Sequence, residues 1–223
     1  AKNPAAIACN DATVASGLTT LVSQSNFTCA PSRIDGVSVT GGDGGGGVQV
    51  NGWAHNLEIS NNRIYGNAGT TLGGLIIGQD GQARTVGVNG ALIPYNQNVS
   101  IHNNAVTMNG TVEPLIGLAA RVGAAPGGIG LYQGSDNYQV TNNWVCGNYS
   151  SGNGGGIAHV GLSLDGNISY NKILFNHNYN QASPANGGGL IIEGGGNGIT
   201  AGTGNVTVDA NLIMGNFAQS GNG

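Results

Sequence analysis

Two asparagines set five residues apart recur five times along this 223-residue chain. The first of each pair is Asn62, Asn104, Asn143, Asn171 or Asn211. The second is Asn67, Asn109, Asn148, Asn176 or Asn216. An apolar residue sits two places after each first asparagine: Ile64, Val106, Val145, Ile173 and Ile213. Such a repeat constrains the architecture before local propensity does, because each copy must bury its apolar face on its neighbours.

A glycine tract and a short apolar run precede each pair: GGGGVQV (44–50), GGLII (73–77), GGIGL (127–131), GGGIAH (154–159) and GGGLII (187–192). A second run comes just before the first asparagine, at 57–59, 99–101, 138–140, 166–168 and 206–208. A third centres on the apolar residue between the two asparagines. Short alternating runs of this kind are strands and not helices. The copies occupy 44–67, 73–109, 127–148, 154–176 and 187–216. The expected fold is an all-β parallel β-helix solenoid of about five to six coils, three short strands per coil, with like strands stacked roughly 4.8 Å apart. The solenoid domain is expected over 34–223. Residues 1–33 read as an N-terminal cap or irregular segment, with 11–22 either a short capping helix or irregular.

The asparagine columns then read as turn ladders. Asparagine tolerates left-handed backbone, and inward amides can satisfy one another along the axis. The glycine tracts read as tight corners where the chain enters the first strand.

Composition excludes several function classes. Glycine supplies 43 residues and only 7% are charged, against roughly 25% in ordinary soluble domains. The 39% of hydrophobic residues recur in register, which argues against disorder. With six Lys plus Arg and a net charge of −4 there is no basic patch, so nucleic acid is not an expected partner. No apolar run approaches the roughly 18 residues of a membrane-spanning helix, so membrane insertion is not expected. Cys9 and Cys29 either pair in an oxidising compartment, leaving Cys146 free, or all three remain thiols.

The GGGI…V-x-I-x-N-N-x-I-x-x-N pattern resembles right-handed parallel β-helix repeat proteins of the pectate-lyase-like superfold, over about residues 34–223. Segments such as VNGWAHNLEISNNRIYGN (50–67) and GSDNYQVTNNWVCGN (134–148) resemble β-helix stretches of very large secreted bacterial proteins. That likeness implies an extracellular or cell-surface, bacterial setting. Enzymes of the superfold bind polysaccharide in a groove over the first sheet, so the resemblance also names a place to search.

Outward residues of that sheet are Gln49, Ile76, Gly130, Ala158 and Ile191, with no acid, base or cation among them. The acids Asp43, Asp80, Asp136, Asp165 and Glu193 are scattered, whereas glycosidase chemistry needs two carboxyls within about 5–10 Å. Gln49, Ile76 and Ile191 form a candidate contact face, covered either by a partner or by the chain's own loops. His55, His102, His159 and His177 fall in different columns, which does not favour a shared metal site. No cofactor is expected, although TGGDGGGGVQV (40–50) is faintly similar to glycine–aspartate Ca²⁺ repeats and leaves a structural Ca²⁺ open. Trp53, Tyr132 and Tyr149 are candidate glycan-stacking residues.

The leading expectation is a non-catalytic extracellular structural or interaction module. The alternatives are a polysaccharide-active lyase or hydrolase with its site in loops flanking the first sheet, and a glycan-binding module. Expected partners are other domains of a longer chain, copies of the chain stacked coil on coil, or polysaccharide.

Overall fold

A computed structural model describes residues 32–70, 72–78, 90–111, 126–179, 185–194, 202–219 and 221–223. Every strand in it belongs to one of four parallel sheets, and successive strands of each sheet come from successive coils. The described chain is therefore a parallel β-solenoid. Cys9, Cys29 and the cap expected over 1–33 lie outside the described residues, apart from Ser32 and Arg33.

The first sheet stacks Val48–Val50, Leu75–Ile77, Ile129–Tyr132, Ile157–Val160 and Leu190–Glu193. The second stacks Arg33–Asp35, Glu58–Ser60, Ser100–His102, Gln139–Thr141, Gly166–Ser169 and Val206–Asp209. The third stacks Ser38–Thr40, Arg63–Tyr65, Ala105–Thr107, Trp144–Cys146, Lys172–Leu174 and Leu212–Met214. A fourth, made of two-residue strands, follows the second asparagine: Ala68–Gly69, Gly110–Thr111, Tyr149–Ser150, His177–Asn178 and Phe217–Ala218. The three-strand coil expected from the sequence is thus corrected to four. Two residues are too few for an alternating pattern to declare itself.

The second and third sheets each turn one apolar column inward, and the first sheet turns two. Ile59, Ile101, Val140 and Ile168 are fully buried, as are Ile64, Val106, Val145 and Ile173 on the facing sheet. Together with Leu75, Ile77, Ile129, Leu131 and Ile157 they form one continuous core. A small polar relay interrupts it. The Tyr138 hydroxyl donates to His159 Nδ1 (2.9 Å), and His159 Nε2 donates to the Thr203 carbonyl (2.9 Å). Gly166 makes room for this ring, because a Cβ there would meet Tyr138 Cζ at 2.4 Å.

The asparagine columns hydrogen-bond along the axis in a fixed sense. Asn104 is representative: its Nδ2 donates to Ile59 O (2.9 Å) in the preceding coil and to Asn143 Oδ1 (3.0 Å) in the following one. Its backbone N–H donates to Asn143 Oδ1 as well (3.0 Å). Its own Oδ1 accepts from the backbone N–H and Nδ2 of Asn62. The second column repeats this through Asn67, Asn109, Asn148, Asn176 and Asn216. The oxygen of every rung therefore faces the N-terminal end, and the backbone donor faces the C-terminal end.

One physical assignment made from sequence needs correction, and a second holds for only some of the glycines. The left-handed residue of each turn is the one before the ladder asparagine, not the asparagine itself. Asn61, Asn103, Asn142, Tyr170 and Ala210 precede the first column with φ of 50–58°, and Met108 and Phe175 precede the second with φ of 52° and 53°. The bend must come first so that the next side chain can turn inward. In the glycine tracts Gly44, Gly46, Gly154 and Gly187 do turn corners, with φ of 68–84°, whereas the glycines at 47, 74, 128, 156 and 189 have ordinary φ. They are required by close approach: a Cβ on Gly128 would lie 2.3 Å from Gly156 O and 2.9 Å from Val145 Cγ1.

Candidate functional site

Three surfaces present groups that could act on a ligand or partner. The first is the outward face of the second sheet. Parallel register places Arg33, Glu58 and Ser100 in one column and Asp35, Ser60 and His102 in the next. Arg33 Nε pairs with Glu58 Oε2 at 2.6 Å, and His102 Nε2 lies 3.1 Å from Glu58 Oε1. The Ser60 hydroxyl donates to Asp35 Oδ1 at 2.7 Å and lies 3.5 Å from Glu58 Oε1. Hydrogen bonds from Asn61 and then Ser60 hold the Asp35 carboxyl below its usual pKa. This carboxylate pair was not among the acids singled out from the sequence. The signal was available: Ile34 aligns with Ile59, which brings Asp35 into the column of Ser60 and His102. The first coil lacks the ladder asparagines, and that hid the alignment.

Three of the acids that were singled out are engaged structurally. Asp136 Oδ1 accepts from Leu164 N (2.8 Å), Glu193 Oε2 accepts from Asn153 Nδ2 (2.9 Å), and Asp165 accepts from Asn205 Nδ2. Asp80 lies outside the described residues. Among the described residues no three His, Cys, Asp or Glu side chains converge as a metal cluster. His159 is buried in the core and its burial pushes the imidazole pKa down, as burial also does for His55.

The second surface is aromatic and runs along the fourth sheet. Tyr149 and His177 are register partners, as are His177 and Phe217. Tyr179 bridges them, with ring centroids 5.9 Å from Tyr149 and 6.4 Å from His177, while His177 lies 5.0 Å from Phe217. Of the glycan-stacking residues expected from sequence, only Tyr149 belongs to this row. Trp53 is 42% exposed but packs against His55 and Tyr95, away from that row. Tyr132 is 2% exposed, so its ring offers no face to a sugar. It points outward from the first sheet, but into a covered cluster.

That cluster includes part of the candidate contact face. Ile76 is 3% exposed and packs with Leu72, Tyr132, Ala158 and Val160, with Ile191 half-buried beside them. Pro126 closes over Gly130. Among the described residues, the chain's own side chains cover Ile76, while Ile191 stays partly exposed. Gln49 remains exposed.

The third surface is the last coil. Val208 and Ile213 occupy inward columns yet are 41% and 48% exposed, whereas Ile168 and Ile173 one coil earlier are fully buried. Leu190, Ile213 and Asn216 line a shallow depression of about 340 Å³ there.

Comparison with protein-family models, with curated proteins and with solved structures gives no match for this chain.

Proposed function

We propose that this chain is a non-catalytic structural or interaction module, built as a right-handed parallel β-helix of the pectate-lyase-like kind and working outside the cell. The observation that carries the reading is the ladder system. Both asparagine columns and the apolar core run through successive coils to the last, so the buried polar chemistry serves axial cohesion. Neighbour-to-neighbour cohesion of this kind is how solenoids hold extended, regularly spaced surfaces. The partners on this reading are other domains of a longer chain or further solenoid units. The test is turnover on a panel of soluble polysaccharides together with a glycan array. The expected outcome is no product, and product formation would overturn the reading in favour of an enzyme.

A second reading, glycan binding, is favoured by the Tyr149, Tyr179, His177 and Phe217 row, because aromatic faces aligned along an axis suit sugar rings. Retention on immobilised polysaccharide that is lost in Phe217→Ala, with no product released, would support it. Unchanged retention in that variant would remove it.

A further inference from the structure

We infer that the corner joining the first and second sheets, around Trp53, His55, Tyr95 and Asn96, is a binding site for a small neutral amide. The ligand's carbonyl oxygen takes the buried side-chain N–H groups of His55 and Asn96, and its body lies against the Trp53 ring.

At this corner two adjacent coils are tied together by side chains that use one end only. Ala54 N donates to Asn96 Oδ1 (3.2 Å), and Gln97 N donates to His55 Nδ1 (3.0 Å). Because Nδ1 accepts, the neutral imidazole carries its proton on Nε2. His55 is 4% exposed and Asn96 is fully buried. Among the described residues neither His55 Nε2 nor Asn96 Nδ2 meets an acceptor. The ladder residues Asn104 and Asn109 show what a satisfied amide does here: each Nδ2 meets a carbonyl of the preceding coil and an oxygen of the following one. Buried donors in folded proteins are nearly always paired, so two unmet donors in one corner mark a place for an acceptor.

The surrounding groups select which acceptor. Trp53 packs edge-on against His55 and Tyr95, with ring centroids 6.2 and 5.7 Å away. It is the exposed member of the cluster and is held in left-handed backbone (φ 60°), which a large side chain resists. An incoming molecule therefore meets this ring first. Both unmet groups donate, so they offer a metal ion no lone pair. A carboxylate gains no counter-charge: the described cations Arg33, Arg63 and Lys172 are turned to Glu58, Tyr65 and Trp144. Burying an uncompensated charge is costly. An amide carbonyl is neutral and has two lone pairs, one for each donor. Acetamido sugars and peptides both carry this group.

The inference is independent of the structural reading above, since occupancy of these two side chains is read without turnover. The experiment titrates the full chain with N-acetylglucosamine and, separately, with N-acetylglycinamide. Heteronuclear NMR follows the His55 Nε2–H and Asn96 Nδ2 signals, with glucose and acetate as comparisons. The expected result is a saturable shift of both signals with at least one amide and none with glucose or acetate. Response to the sugar alone makes the ligand an acetamido sugar, response to N-acetylglycinamide alone makes it a peptide amide, and response to both makes the amide group itself the recognised element. Asn96→Ser removes Nδ2 but keeps an oxygen for Ala54 N, as Ser163 Oγ accepts from Ser135 N in a later coil (3.1 Å). Binding about tenfold weaker is expected in that variant. Trp53→Ala, at an exposed position, should weaken binding about fivefold. No shift with either amide, an equal response to glucose or acetate, or full affinity in both variants overturns the inference.

Discussion

Each interior ladder asparagine does three jobs: it accepts two hydrogen bonds, donates two from its amide and donates one from its backbone. Asn143 accepts from Asn104 N and Nδ2, and donates to Ile101 O and to Asn171 Oδ1 (twice). Asn143→Ala leaves the two Asn104 donors without partners in a buried site and removes one of the hydrogen bonds to the Ile101 carbonyl. At about 1–3 kcal/mol per orphaned buried group, the expected loss is roughly 3–5 kcal/mol, read by denaturant unfolding. Asn211→Ala exposes similar groups to water at the open coil and should cost less than half as much. Equal losses would mean that the columns do not act through buried hydrogen bonding. The same residues show what the sequence could and could not say. The columns were legible because the spacing inside each pair never changes. The left-handed position was not, because Tyr170, Phe175 and Met108 occupy it against their own steric preference.

At the level of the strand, the controlling quantity is the space between coils. The glycine before each first-sheet strand lets the next coil's backbone pass within contact of the second ladder. Gly128→Ala forces a Cβ into Gly156 O and Val145. Overpacking of this kind costs about 1–3 kcal/mol, more where backbone blocks relief, so a loss of at least about 2 kcal/mol is expected in thermal melts. The strand Ile157–Val160 carries a different liability. Burial lowers the His159 pKa, and the imidazole stays neutral between the Tyr138 hydroxyl and the Thr203 carbonyl. The unfolded chain protonates this group near its ordinary pKa of about 6.5. Stability should therefore be complete above that pH and fall as pH drops below it, until the depressed folded value is reached. The melting temperature is expected to fall between pH 7 and pH 5. A His159→Leu/Tyr138→Phe pair should remove part of that fall, the remainder belonging to His55, which burial shifts in the same direction. Apolar columns made both strands readable, but the polar relay was not: Tyr138 and His159 are 21 residues apart and meet only because Gly166 is vacant above the ring.

Across the whole molecule, strand pairing and ladder bonds join only adjacent coils, with the Tyr179 hydroxyl reaching two coils back to Thr111 O (2.6 Å), so stability should grade along the axis. Hydrogen exchange is expected to be slowest in the Val140 and Val145 strands, which have covered coils on both sides. It should be fastest in Val206–Asp209 and Leu212–Met214. A uniform exchange rate across these strands would indicate one global unfolding event instead. The sheet orders and the continuous core were legible in the repeat. The fourth sheet and the approach of Asp35 and Glu58 to Ser60 were not, because each depends on how coils of unequal sequence length come level. Ladder partners are 42, 39, 28 and 40 residues apart along the chain, yet each step advances the axis by the same strand spacing of roughly 4.8 Å. Distance along the molecule is thus uncoupled from distance along the gene. The solenoid behaves as a graduated rule: residues inserted between the first and second sheets, or between the fourth and the next first, change what is displayed at a mark without moving any other mark.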